Sequence, residues 1–456
     1  MRQVFRGTVF HLLDDPDAGA EAAVVHEDGA LLIEDGHVVE AGNWIDIQPQ
    51  VKGAPVERFD GLIVPGFIDC HVHFPQVDMM ASPGNHLLHW LSAYAFPAES
   101  RFHHEDVAAE VATFFLDQLL AHGTTTALVF ATAHKVAAEA LFAEAFRRNM
   151  RLITGKVLMD VNAPAGISDT AETGFMESRA LIRDWHGKGR LGYAVTPRFA
   201  LTSSERQLEL AGRLLAEHPG VKLHTHLSEN TGEIEAVHHM FPDCPDYLGV
   251  YEKFGLVTPH SVFAHCLHLS DSEWQRMATS GANIAFCPTS NLFLGSGLFN
   301  LKAAEAAGVA VGLGTDVGAG TSLSLLATMN EAYKVGQLQK QHTSAAKLFY
   351  LATLGAARTL HLDDKIGNFR PGKEADFVVL DVKHLPIARR RWEHAATLNE
   401  KLFALAMLGD DRAVARTYVA GKCVHDRDKQ YLSSPAEASR RGAHRSEGEG
   451  DPGFDD

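Results

Sequence analysis

Through the middle of the chain, short apolar runs alternate with longer segments whose apolar residues recur at helical spacing. The short runs fall at 67–71, 124–130, 152–158, 191–196, 221–226, 261–265, 283–286 and 310–313. Several follow a glycine, as at Gly123, Gly220, Gly281 and Gly308. The segments between them, such as 107–121, 136–148, 203–217 and 271–280, read as helices with one apolar face. Eight strands alternating with helices predicts an α/β fold, a (β/α)8 TIM barrel. The alternative is a doubly wound open sheet. It lacks its usual mark: no G-x-G-x-x-G follows the first strand, and Gly312-Leu313-Gly314-Thr315-Asp316-Val317 breaks that pattern at its last position.

The two ends have another texture. Short strands at 8–13, 30–33 and 37–41 are separated by acidic, glycine-bearing turns such as Glu34-Asp35-Gly36. The same texture returns at 375–381 and 413–424. Isolated two-strand pieces are marginal alone. A small β-sandwich domain is therefore expected from residues 1–64 and 371–432 together, with the barrel over 65–370. From 433 onward the chain is polar and poor in aromatics, and a mobile tail without chemistry is expected.

Composition narrows the partners. The formal net charge of −16 disfavours a nucleic-acid surface, which needs a basic face against phosphates. No run approaches the roughly 20 consecutive apolar residues of a membrane span, and the N-terminus lacks the pattern of a secretory leader. The five cysteines form no C-x-x-C pair, which suits a reducing compartment. A cytoplasmic protein acting on a small molecule is expected.

Candidate chemistry gathers at strand ends, where a TIM barrel places its site. The first strand ends in His71 and His73. Residues i and i+2 of a strand point to one side, so two imidazoles aim at one point. Any such pair among 26 histidines can arise by chance. The fifth strand, however, ends in His226, the sixth in His265 and the eighth in Asp316. Nitrogen and oxygen ligands without thiolate suit Zn²⁺, with Fe²⁺ or Mn²⁺ as alternatives. His224 lies two residues before His226 and reads as either barrel interior or ligand. His268, His103 and His104 read as surface. Cys70 and Cys266 adjoin candidate ligands but alternate to the opposite face.

These motifs resemble the amidohydrolase superfamily and, within it, the guanine deaminases. The resemblance rests on Pro65-Gly66-Phe67-Ile68-Asp69-Cys70-His71-Val72-His73-Phe74-Pro75-Gln76, on His224-Thr225-His226-Leu227-Ser228-Glu229-Asn230 and on Ala264-His265-Cys266. Cys287-Pro288-Thr289-Ser290-Asn291, Gly314-Thr315-Asp316-Val317-Gly318 and the pair Arg198-Phe199 complete it. It spans about residues 60 to 380. It implies a homodimer, and one metal per chain. Two-metal members commonly carry a carboxylated lysine at the end of strand four, where this chain has Thr196-Pro197-Arg198; Lys156 and Lys222 lie within other strands.

A single Zn²⁺ brings bound water from pKa 15.7 to about 7, which supplies hydroxide at neutral pH. The expected ligands are His71, His73, His226 and Asp316, with Asp316 also taking the water proton. His265 is expected to polarise the water. Glu229 is expected to relay protons to a ring nitrogen and to the leaving amine. By resemblance, water attacks C2 of guanine and the products are xanthine and ammonia. Gln76 offers a donor and an acceptor to the purine edge, Arg198 a planar fork, and Phe199 a stacking face. Trp90 and Phe96 are candidate walls. The other zinc deaminase architecture needs H-x-E with P-C-x-x-C, and the latter is absent. The alternatives are deamination of a triazine, cytosine or adenosine-type heterocycle, cyclic-amide ring opening, or a retired enzyme kept as a scaffold.

Overall fold

The computed structural model describes residues 1–84 and 86–429; the polar stretch from 433 lies outside the described residues. Sixteen strands are described. They are β1 (Arg2–Leu12), β2 (Ala23–Glu34), β3 (His37–Asn43), β4 (Val56–Pro65), β5 (Phe67–His73), β6 (Thr124–Phe130), β7 (Arg151–Gly155) and β8 (Val157–Leu158). There follow β9 (Leu191–Pro197), β10 (Lys222–Leu227), β11 (Ser261–His265), β12 (Asn283–Phe286), β13 (Val311–Leu313), β14 (Phe377–Leu380), β15 (Val414–Val419) and β16 (Lys422–Asp426).

Both chain ends share one sheet, in the order β16-β15-β14-β4-β1-β2-β3. Strand alternation gives it two apolar faces. Phe5, Val9, Leu31, Ile33, Phe377 and Tyr418 pack on one side, and Val4, Ala30, Leu32 and Ile47 on the other. The hydrogen bonding thus refines the sandwich expected from the sequence to one continuous seven-stranded sheet. β14 joins the N-terminal strands by pairing antiparallel with β4, Val378 opposite Val64.

β4 passes into β5 through Gly66. A Cβ there would lie 2.1 Å from Thr125 Oγ1, so the close approach admits only glycine. β5 opens the second sheet, whose path runs β5-β6-β7-β9-β10-β11-β12-β13. The backbone closes it into a barrel: the Asp316 N–H donates to His71 O at 2.8 Å, and the His73 N–H to Val317 O at 2.8 Å. That closure rules out the open sheet. Gly314 passes so near β5 that a Cβ would meet His71 Cβ at 2.9 Å. Ile68, Leu128, Ile153, Ala194, Val262 and Ala285, from six different strands, pack together as an apolar cluster.

Local chemistry sets the helices around the barrel. The helix Glu105–Ala121 buries Val111, Ala112, Phe115, Leu116 and Leu119, the spacing of one helical face. The helix Asp271–Ser280 starts with a capping box of Ser270 and Glu273 and stops at Gly281 in the left-handed conformation. The third barrel strand differs from expectation, being broken at Lys156 into β7 and β8. The Lys156 N–H bonds to the side-chain Oη of Tyr193 on β9 at 3.3 Å rather than to a backbone carbonyl, and its ammonium pairs with Asp169 at 2.6 Å.

Candidate active site

His71, His73, His226 and Asp316 are brought together at the barrel mouth, all buried, with one ligand atom from each within 4.8 Å of the others. Asp316 Oδ1 lies 3.1 Å from His71 Nε2 and 3.2 Å from His73 Nε2. The rings are aimed from behind. The His226 Nδ1–H donates to the carbonyl of Arg198 at 2.6 Å, which leaves Nε2 with its lone pair. His71 Nδ1 lies 2.7 Å from His224 Nε2. Asp69 ties the first strand to the last. It accepts from the His71 N–H at 3.1 Å, the Thr315 N–H at 3.0 Å and the Thr315 hydroxyl at 2.5 Å.

The electrostatics fit a cation. Burial lowers the pKa of His73 to about 3, that of His226 well below the ordinary range, and that of His71 as well. Burial thus favours the neutral imidazole, the form that ligates a cation. Burial opposes ionisation of Asp316, but His71 and His73 outweigh it and hold its pKa well below the usual carboxylate range. Three neutral imidazoles and one carboxylate make a donor set for a borderline divalent ion such as Zn²⁺. Cys287 also lies within ligand distance of His265 and Asp316, but burial pushes its thiol well up, so it is a poor ligand as it stands.

Glu229 lies just past β10 and is 3 % exposed. Burial, then the Asp316 charge, raises its pKa to about 8. One carboxylate oxygen accepts from the Ser296 hydroxyl at 3.2 Å, and the other lies 3.4 Å from His265 Nε2. His265 is oriented by Asn291, whose Oδ1 is 2.8 Å from Nδ1. Its Nε2 is buried, makes no hydrogen bond within the protein, and lies 3.7 Å from Asp316 Oδ2. His265 (φ 74°), Asp316 (φ 49°) and Ser228 (φ 50°) are all left-handed without being glycine. Such residues cost roughly 1–3 kcal/mol each and cluster at functional sites.

One cavity joins these groups to Gln76, Arg198 and Phe199. Its wall includes Leu87, Trp90, Leu91 and Leu294. Phe96 stands one layer back, with the Arg198 guanidinium 5.3 Å from its ring centre. His103, His104 and His268 are exposed, as expected. Cys70 turns away from the site toward Ala356, its Sγ 3.9 Å from that carbonyl. Lys156, tied to Asp169 and Ala133 O, takes no part in the ligand cluster.

Sequence reasoning missed Glu99, Asn291 and Ser296 as groups holding the site. Asn291 lies in the quoted Cys287–Asn291 motif, but nothing in that motif names His265 as its partner. For Glu99 the available signal was one acid closing the mostly apolar stretch Tyr94-Ala95-Phe96-Pro97-Ala98-Glu99.

Comparison with known proteins agrees with this geometry. The amidohydrolase family model matches residues 62–424. Guanine deaminase of Escherichia coli is 50% identical over 422 residues, covering 92% of this chain and 96% of its own. Its solved structure superposes with a TM-score of 0.91. A probable guanine deaminase of Deinococcus radiodurans is 41% identical over 437 residues, covering 94% of this chain and 100% of its own. Guanine deaminase from C. acetobutylicum, solved with guanine in its active site, matches at a TM-score of 0.85 and 27% identity, covering 93% of this chain and 100% of its own. By sequence and by fold, the chain belongs to the amidohydrolase family, and within it to the family of these guanine deaminases.

Proposed function

We propose that this chain hydrolyses guanine to xanthine and ammonia, using one divalent ion held by His71, His73, His226 and Asp316. The observation that carries the reading is the shared cavity: Gln76 and Arg198 line it together with Glu229, His265 and three of the candidate ligands, His73, His226 and Asp316. A purine edge held by the first pair therefore lies beside the proton-handling groups.

A bound ion supplies the lowering of water's pKa that makes a nucleophile available near neutral pH. The chain's residues handle the rest. Asp316 takes the first water proton. Glu229, whose pKa burial raises to about 8, gives its proton to ring nitrogen N3, which makes C2 more electrophilic. His265 faces the oxygen added at C2. As the C2–N bond breaks, a proton reaches the leaving amine through Glu229. The proton held by Asp316 then restores Glu229, so that over one cycle the two water protons account for the one on N3 and the one on ammonia. Gln76 and Arg198 fix the ring edge, and Phe199 walls it.

The test is ultraviolet analysis of product with guanine, set beside a panel of amino-triazine, cytosine and adenosine substrates. Guanine is the substrate turned over, and xanthine the product; preference for another heterocycle overturns the reading. Zinc as the ion, a homodimer and a cytoplasmic setting belong to the same proposal. Free cysteines throughout support the setting, and among the described residues no helix is long and apolar enough to cross a membrane.

A further inference from the structure

Behind the cavity wall lies a carboxylate that the chemistry above does not use. Glu99 is fully buried on the short helix Phe96–Ser100. Its Oε1 accepts from Gln76 Nε2 at 2.8 Å and from Arg198 Nη1 at 2.9 Å, and its Oε2 accepts from Arg198 Nη1 at 2.8 Å. Gln76 follows the first barrel strand and Arg198 the fourth. Both line the cavity, and one carboxylate joins them.

Two consequences follow for the cavity edge. The first concerns orientation. Gln76 Oε1 accepts from the Gly318 N–H at 3.1 Å. An acceptor-only carboxylate on one side and an N–H on the other leave the amide one allowed orientation, since flipping it opposes donor to donor and acceptor to acceptor. Gln76 therefore offers a fixed pattern, one remaining N–H and one remaining lone pair. Arg198 gives its Nη1 to Glu99 and keeps Nη2 and Nε for an occupant. The second concerns charge. A lone buried guanidinium would favour an anion, whereas the Arg198–Glu99 pair is neutral as a unit. The edge then suits a neutral ring that both donates and accepts.

We propose that Glu99 is a positioning residue that fixes the Gln76 and Arg198 donors and, by cancelling the Arg198 charge, makes the site prefer neutral over anionic purines. This rests on the reading of Gln76 and Arg198 as purine contacts. Glu99 is not among the residues that line the cavity; it acts through its two partners.

The experiment compares the metal-loaded parent with Glu99→Gln and Glu99→Asp. Measured quantities are KM and kcat for guanine, metal content, melting temperature, and competitive inhibition by hypoxanthine, a neutral purine, and urate, an anion at neutral pH. E99Q removes the charge and places an N–H against Arg198 or Gln76. Its KM rises about tenfold or more, the scale of a charge-assisted hydrogen bond, while kcat moves less and metal content holds. Its inhibition shifts from hypoxanthine toward urate. E99D keeps the charge but cannot span both partners. Its KM rises while hypoxanthine stays preferred, and it is read alone if E99Q does not fold. A parent that ignores guanine overturns the functional reading and this inference with it. A parent that deaminates guanine, beside variants changed only in melting temperature, overturns this inference alone.

Discussion

The Nδ1–H of His226 donates to the backbone carbonyl of Arg198 at 2.6 Å. One residue thus aims a candidate metal ligand with its backbone and lines the cavity with its side chain. The two roles separate under mutation, because a substitution changes the side chain and keeps the carbonyl. Arg198→Lys retains charge but loses the planar fork. The variant should keep its metal and lose about tenfold or more in kcat/KM for guanine, the loss of a charge-assisted hydrogen bond. Parental turnover by R198K would remove Arg198 from the substrate contacts.

Glu229 is assigned to proton transfer and His226 to metal binding. Glu229→Gln keeps size and hydrogen bonding but carries no proton through the cycle. Its metal content should match the parent while kcat falls by about 10² to 10⁴. His226→Ala should lose metal as well as rate. Metal content and kcat measured side by side decide this. A metal-free E229Q would make Glu229 a ligand.

The second histidine of the fifth strand gives another prediction. If His71 offers Nε2 to the ion, its Nδ1–H donates to His224 Nε2, 2.7 Å away. The remaining His224 proton then sits on Nδ1, which is buried without a partner. His224→Phe removes the acceptor and should weaken metal affinity about 10- to 100-fold, with partial recovery in His224→Gln. Equal affinity in all three proteins, measured by competition with a chelator, would leave His224 as barrel filling.

Glu229 also links stability to pH. Burial, aided by the Asp316 charge, raises its pKa from 4.5 to about 8. Burial and the Glu229 charge raise that of Glu233 to about 7. Between these values and 4.5 the native state binds protons that the unfolded chain has released. The contribution of these two carboxyls to the stability of metal-free protein is therefore greatest below about 4.5, falls as pH rises toward about 8, and levels off above that. E229Q has no proton to lose, so its denaturant midpoint should decline less over the same window. Parallel curves for parent and E229Q would contradict the raised pKa.

What was legible in the sequence followed from short-range rules. Strand alternation put His71 and His73 on one side, and the barrel rule put His226, His265 and Asp316 at one mouth. The eight-strand pattern was legible for the same reason. Glu99 was not, because its partner Arg198 lies 99 residues away in sequence and no local periodicity relates the two. The break at Lys156 was equally hidden. It follows from the hydroxyl of Tyr193, 37 residues on, which claims the backbone N–H. His224 could be read as interior or ligand from spacing alone; only the ring-to-ring contact with His71 distinguishes its place. The chain-end strands were visible, but their joining into one sheet depends on β14 meeting β4 across the whole barrel sequence.

In the proposed reaction, one divalent ion at His71, His73, His226 and Asp316 drives guanine deamination. The direct measurement is a titration of metal-stripped protein with Zn²⁺, following the absorbance change of guanine to xanthine and the bound metal together. No turnover is expected without metal, and full turnover at about one equivalent per chain. A rise that continues to about two equivalents, or fully loaded protein that leaves guanine intact, would contradict it.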